Sequence, residues 1–179
     1  MWMDPILACA PAVHPVTMAQ VVRVESAGNP LAVNVNELPA DQQPRPRTTD
    51  EAVAAAKLWI SRGYRVDLGL GQISDRNLPA LGYTIEQVLS TDPAVTCANL
   101  TGSARILAEA YGRAVRILGE GQPALMAALS AYNTGTFTGG FANGYLARYV
   151  PEIRPSMASR VETVSTKPVS RHRSHMEVW

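Results

Sequence analysis

The sequence predicts a mainly α-helical, α+β domain, and three observations carry that reading. Helix punctuation recurs through the first 135 residues, with capping residues at helix starts and Gly or Pro at helix ends. Two short stretches, near residues 33–37 and 64–68, read as extended and supply a small β-element. The chain has 179 residues, 46% hydrophobic and 17% charged, which is a folded domain's profile and excludes disorder throughout. The domain is expected over residues 5–155, with a flexible tail over 156–179. Sixteen Lys and Arg against fifteen Asp and Glu leave a net charge of +1, so no bulk field gathers nucleic acid or an anionic membrane. No apolar run approaches the roughly 18 residues of a membrane-spanning helix.

The elements follow in order. Ile6-Leu7-Ala8-Cys9 superficially resembles the end of a lipoprotein export signal, but Met1 to Pro5 holds no Lys or Arg and precedes no long apolar stretch. The start therefore reads as mature or engineered sequence. Pro15 to Ala27 reads as a helix with a hard stop at Gly28-Asn29-Pro30. Val33 to Glu37 alternates, and Ala40 to Arg47 is a polar loop bearing Pro44 and Pro46. Thr48 and Glu51 form a capping-box pattern for a helix to Arg62, ended by Gly63, with Ala52, Ala56, Trp59 and Ile60 on one face. Tyr64 to Leu68 is extended. A third helix starts at Thr84, with Gln87 in the reciprocal capping position. A fourth opens at Asp92-Pro93 and keeps helical spacing through Cys97, Leu100, Ala104, Leu107, Ala108, Tyr111, Val115 and Leu118, as a central buried helix would. The fifth covers Pro123 to Asn133. Gly135 to Gly144, with four glycines and both phenylalanines, reads as a mobile loop, and Tyr145 to Val150 as a last short helix stopped by Pro151.

Three constellations could carry chemistry. Met18, Val21, Val22 and Glu25 fall at i, i+3, i+4 and i+7, which puts Glu25 on an apolar stripe. Burial and the negative end of the helix dipole both disfavour a charged carboxylate there, as a general acid requires. The plain alternative is a boundary glutamate reaching solvent past the last turn. Gly69-Leu70-Gly71-Gln72-Ile73 lets the main chain approach a ligand, with Gln72 offering a donor and an acceptor to a neutral polar ligand such as a sugar. It lacks the ending of a phosphate loop and the third glycine of a dinucleotide fingerprint. Ala131-Tyr132-Asn133-Thr134-Gly135 ends the fifth helix, where Leu125, Ala128, Leu129 and Tyr132 form the inward face and Asn133 equally suits a C-cap. Cys9 and Cys97 suit a bridge or two buried thiols and do not make a zinc site. His14 reads as a surface or capping histidine. In the tail, Arg171-His172-Arg173-Ser174-His175 could be a basic docking segment or a metal site, but the two histidines lack a third ligand and a plain linker or disordered end is the expectation.

Taken in order, Glu25-Ser26-Ala27-Gly28-Asn29-Pro30, Gly69-Leu70-Gly71-Gln72-Ile73, Ala131-Tyr132-Asn133-Thr134-Gly135 and Tyr149-Val150 resemble the lytic transglycosylase family over about Cys9 to Val150. The resemblance implies a lysozyme-like, goose-type helical fold. Cys9-Ala10-Pro11, Asp67 and Cys97-Ala98-Asn99-Leu100 look more like the branch attached to type IV secretion and conjugation systems. Gly71 stands where many members carry Met. By this resemblance Glu25 is the sole catalytic acid/base. Ser26 and Gln72 orient substrate, Tyr132 and Asn133 line the sugar sites, and Tyr149 hydrogen-bonds or positions Glu25. The implied reaction cleaves the β-1,4 bond between N-acetylmuramic acid and N-acetylglucosamine without water, the muramoyl 6-hydroxyl closing on its own anomeric carbon. No cofactor is implied.

A hydrolytic lysozyme would more often need a second carboxylate, for which Asp67 is the candidate by motif proximity, though loop anchoring suits it as well. A wall-binding assembly protein with a degenerate site and a helical protein-interaction module are the readings from other classes. Only the last predicts no glycan affinity. Peptidoglycan strands are the expected partner, with secretion or conjugation components beside them. The expected location is the periplasm or cell wall, and in that oxidising setting Cys9 and Cys97 are expected to be bridged.

Overall fold

The computed structural model describes residues 3–92 and 97–149. Those residues form two compact units, divided between Glu109 and Ala110. The predicted tail, the Asp92-Pro93 helix start beyond Asp92, and Val150-Pro151 lie outside the described residues. Among the described residues no helix is long and apolar enough to cross a membrane.

The first unit opens with α1 (Met3–Cys9), which the sequence reading did not anticipate, packed against α2 (Pro15–Ser26). His14 is the N-cap of α2, its Nδ1 accepting from the Val16 amide at 3.3 Å, and Pro15 takes the first helical position, where no amide is needed. The helix ends because Ala27 (φ 53°) and Gly28 (φ 83°) turn left-handed, their amides returning to the carbonyls of Arg23 and Val22. A left-handed alanine costs about 1–2 kcal/mol, so the stop is imposed by its surroundings.

β1 (Val33–Val35), β2 (Val66–Leu68) and β3 (Ile73–Ser74) make one antiparallel sheet in that order. Val33 faces Leu68, Asn34 faces Asp67 and Val35 faces Val66; on the other side Asp67 faces Ser74 and Leu68 faces Ile73. The third strand was not predicted. It is two residues long and lies inside the glycine motif, which is therefore the connection of a β-hairpin. Val35 sits at the open edge of β1, and the Gln43 carboxamide closes it, accepting from the Val35 amide and donating to the Val35 carbonyl, each at 2.8 Å. The predicted polar loop thus caps the sheet edge.

α3 (Thr49–Ser61) follows, with Thr48 accepting from the Glu51 amide as its N-cap; Glu51 reaches the Arg47 amide instead of completing the box. Ala52 and Ala56 are sealed and Trp59 and Ile60 partly so, as the spacing predicts. They pack with Val33, Val35, Val66, Leu68 and Ile73 into the core of the first unit. α4 (Leu78–Leu81) and α5 (Ile85–Val88) are single turns, and α5 carries the full Thr84–Gln87 capping box. α6 (Cys97–Leu118) is amphipathic rather than buried all round: Leu100, Ala104, Leu107 and Ala110 are inside, while Arg105, Glu109 and Arg113 are exposed.

In the second unit, α7 (Gln122–Thr134) is buried from Ala124 to Ala131 except at Leu125. Its C-cap is Gly135 (φ 76°), so Asn133 lies in the last turn and is not the cap. The glycine-rich segment expected to be a mobile loop instead forms α8 (Gly139–Ala142), packed on α7. Ser130 makes that possible: its hydroxyl donates to the Thr136 carbonyl and accepts from the Gly140 amide, both at 2.8 Å, and a Cβ at Gly140 would come within 2.8 Å of Ser130 Cα. The last segment is a 3-10 turn, Leu146–Arg148.

Cys9 and Cys97 form a disulfide, with Cα atoms 5.0 Å apart. Thr101 Oγ1 donates to the Cys9 carbonyl at 2.7 Å beside it, tying α1 to α6. Closing an interval of 88 residues constrains the unfolded chain, and reduction is expected to cost roughly 2–4 kcal/mol. Intact mass before and after reduction, with alkylation under denaturing conditions, checks the bridge, and denaturant unfolding of both forms measures its contribution.

Candidate active site

The first unit carries Glu25, Ser26, Asp67 and the glycine hairpin; the second carries Tyr132, Asn133 and Tyr149. In the first, Met18, Val21 and Val22 are sealed and Glu25 closes their stripe half-buried in the last turn of α2. The acid therefore sits at the edge of the core and not within it. Its neighbour Ser26 is half-buried, and the hydroxyl donates to the Leu70 carbonyl at 2.8 Å, with the Val22 carbonyl at 3.2 Å. That bond pins the end of α2 to the tip of the hairpin.

The hairpin connection is Gly69-Leu70-Gly71-Gln72, closed by the Gln72 amide donating to the Gly69 carbonyl at 3.2 Å. Leu70 is fully buried although it lies at the tip, so the loop is turned inward. Gln72 is left-handed (φ 50°), and its Nε2 donates to the carbonyls of Gly69 at 2.8 Å and Ala32 at 3.4 Å. Among the described residues no buried side-chain polar atom lacks a partner, so Gln72 Oε1, which has none, lies at the surface of the loop. Of the three non-glycine residues at positive φ among the described residues, Ala27 and Gln72 lie within the two sequence motifs of this unit. Backbone strain of this kind concentrates at functional sites.

Asn99, on α6, is the residue whose part in the site the sequence reading missed. It is buried and uses every polar atom: Oδ1 accepts from the Gly71 amide at 2.8 Å and from Ser103 Oγ at 3.5 Å, while Nδ2 donates to the carbonyls of Leu68 at 2.8 Å and Val88 at 3.0 Å. Gly69 is required beneath it. Its φ is 70°, and a Cβ there would collide with Asn99 Nδ2 and lie 2.6 Å from the Val88 carbonyl oxygen. The available signal was Asn99 and Ser103 at i and i+4 on the apolar side of a long helix.

Asp67 points away from the core, between Asn34 and Ser74 on the outer face of the sheet. Asn36 Nδ2 donates to its Oδ2 at 2.9 Å. Burial raises its pKa above the ordinary 3.8, against the lowering effect of Asn36, Asn34 and Arg65, while Asp75 raises it further. In the second unit, Tyr132 and Tyr149 are half-buried and Asn133 is exposed. Asn133 Oδ1 accepts from Asn143 Nδ2 at 3.0 Å. The Tyr149 and Tyr145 hydroxyls lie 2.6 Å apart, with the rings edge-on at 5.3 Å. Among the described residues no group of three or more His, Cys, Asp or Glu could hold a metal ion.

The family model described as the transglycosylase SLT domain matches residues 6–148. The chain belongs to this family. It is 38% identical over 90% of its length to "Type IV secretion system protein virB1" of Brucella suis biovar 1 (strain 1330), and covers 64% of that protein. It is 33% identical over 96% of its length to "Protein virB1" of Agrobacterium fabrum (strain C58 / ATCC 33970), and covers 67% of that one. The chain thus spans about two thirds of the length of these curated relatives. No solved structure matches it significantly. The mainly α fold with a small antiparallel sheet is the one expected of an SLT domain.

Two predictions follow from the geometry. Asn99→Ala removes its hydrogen bonds to the Gly71 amide and to the Leu68 and Val88 carbonyls, at about 1 kcal/mol each, so unfolding free energy should fall by about 3 kcal/mol in denaturant titration. Asp67 titrates near 3.8 when unfolded and higher when folded, so the stability linked to its protonation is complete below 3.8 and lost as pH rises through the raised value. Asp67→Asn keeps an oxygen for Asn36 and removes the buried charge. Its melting temperature should match or exceed wild type at pH 7, with the advantage vanishing below 3.8.

Proposed function

We propose that this chain is a peptidoglycan lytic transglycosylase that uses Glu25 as its one acid and base. The observation that carries the reading is a half-buried glutamate at the end of α2, tethered through Ser26 to an inward-turned glycine hairpin, in a chain matched over residues 6–148 by the SLT family. Glu25 gives its proton to the glycosidic oxygen between N-acetylmuramic acid and N-acetylglucosamine as the anomeric C–O bond breaks. The muramoyl 6-hydroxyl then attacks the anomeric carbon, and the Glu25 carboxylate takes the hydroxyl proton. Water is not consumed, and the product carries a 1,6-anhydro end.

Ser26 and Gln72 orient the substrate in this reading: Gln72 Oε1 accepts from a sugar hydroxyl or amide, and Ser26 fixes the hairpin that carries it. The family resemblance assigns sugar binding to Tyr132 and Asn133 and the positioning of Glu25 to Tyr149. Asp67 supports the sheet. Its hydrogen bonds from Asn36 and Asn34 favour that role over a second catalytic carboxylate. The names of the relatives extend the proposal to place and partner: a periplasmic or wall-associated enzyme that opens peptidoglycan locally for a secretion or conjugation machine.

Glu25→Gln keeps size and polarity but cannot donate the proton, so turnover of purified peptidoglycan should fall by at least roughly 10²-fold with the fold intact. Asp67→Asn should retain cleavage. Mass spectrometry of wild-type products should show anhydro ends, lighter by roughly 18 Da than the reducing ends of hydrolysis. Reducing ends alone would make the protein a lysozyme, and binding without cleavage would make it an assembly protein.

A further inference from the structure

At the far end of β2 from the hairpin lies a cavity of about 370 Å³ whose lining includes Asn36, Glu37, Arg62, Tyr64, Arg65 and Arg76. Three of these lining residues are arginines. None of them forms an ion pair or side-chain hydrogen bond with a described residue. The cavity is nevertheless built: Arg62 lies over the Trp59 ring at 4.9 Å, and Tyr64 stands edge-on to the same ring at 5.2 Å. Asn36 is held by the Arg65 carbonyl and the Asp67 carboxylate. Glu37, at φ 69°, adds one negative charge to the three positive ones.

Resting on the transglycosylase reading, we infer that this cavity receives the carboxylate-bearing peptide stem of the glycan strand, with the arginines on stem carboxylates and Glu37 on the amine of the stem's diamino acid. Guanidinium groups that make no internal ion pair or side-chain hydrogen bond are matched to carboxylates, which they bind through paired charge-assisted hydrogen bonds. The mixed signs of the lining select a zwitterionic ligand over a plain polyanion. A concave site of this size admits one or two residues of a peptide and is not a flat docking face for a protein. Reach agrees as well. Arg65 and Gly69 flank the three-residue strand β2, so they lie at most about 14 Å apart, the same as the full reach of a four-residue stem. A stem hanging from a muramoyl sugar at the hairpin is therefore long enough to reach the arginines.

The test titrates the free stem tetrapeptide into the intact chain by calorimetry, beside the same peptide with its carboxyls amidated and an α-linked acidic peptide of equal charge. Wild type should bind the stem peptide, and amidation, Arg65→Glu or Arg76→Glu should each weaken binding by at least about tenfold without lowering the melting temperature. Absence of binding, or binding indifferent to both reversals, overturns the inference. Equal binding of the α-linked acidic peptide overturns it in favour of an acidic protein segment. In parallel, cleavage of stem-bearing strands is compared with strands stripped by an amidase. A wild-type preference that falls toward parity in the reversal variants supports the stem site, and equal cleavage of both by wild type overturns it. Cleavage of neither strand defeats the transglycosylase reading instead, and the peptide titration then decides the site alone.

Discussion

The buried carboxamide of Asn99 holds three segments of the first unit at once, and the geometry around Glu25 rests on it. It accepts from Gly71 and donates to Leu68 and Val88, joining the hairpin, the second strand and the end of α5 to the long helix. Water cannot substitute at a residue this enclosed, so the donors and acceptors must be matched internally. Two further constraints follow from that one group. Gly69 must lack a side chain to let the amide in, and the loop must turn inward far enough to bury Leu70.

An inward hairpin gives α2 something rigid to end against. Ser26 bonds the Leu70 carbonyl, and left-handed Ala27 and Gly28 turn the chain away just after the acid. The order of support runs from Asn99 to the loop, from the loop to Ser26, and from Ser26 to the turn of helix that carries Glu25. Such a scaffold suits a reaction in which one carboxyl both gives and takes a proton, because the group must keep its place between the two steps. The sheet's apolar face builds the core, its outer face carries Asp67, and Arg65, just before β2, lines the cavity.

Much of this was legible in the sequence because helix ends are local events. Thr48, and Thr84 with Gln87, cap helices where their spacing placed them, and the helix expected to stop at Gly28 ends one residue early, with Ala27 as its cap. Glu25 and the glycine motif were visible for the same reason. What escaped depends on contacts distant in the chain. Asn99 reads as an ordinary helix residue until Gly71, 28 positions earlier, is seen beside it. Two residues of β3 are too few to show a period, and α1 was read for its likeness to an export signal. The glycines from 135 to 144 suggested mobility, whereas Gly140 is there so that backbone can lie on Ser130. Composition cannot distinguish a glycine kept for freedom from one kept for closeness.

If Asn99 locks the hairpin that supports Glu25, the Gly71 amide should behave as core and not as loop. Native-state hydrogen exchange measured residue by residue tests this directly, because exchange at Gly71 reports the free energy of opening that single bond. The account predicts that Gly71 exchanges only through global unfolding, with an opening free energy equal to that of the most protected amides of α6. Rapid exchange at Gly71 while α6 stays protected would contradict it, and would mean that the loop beside Glu25 opens independently of the fold.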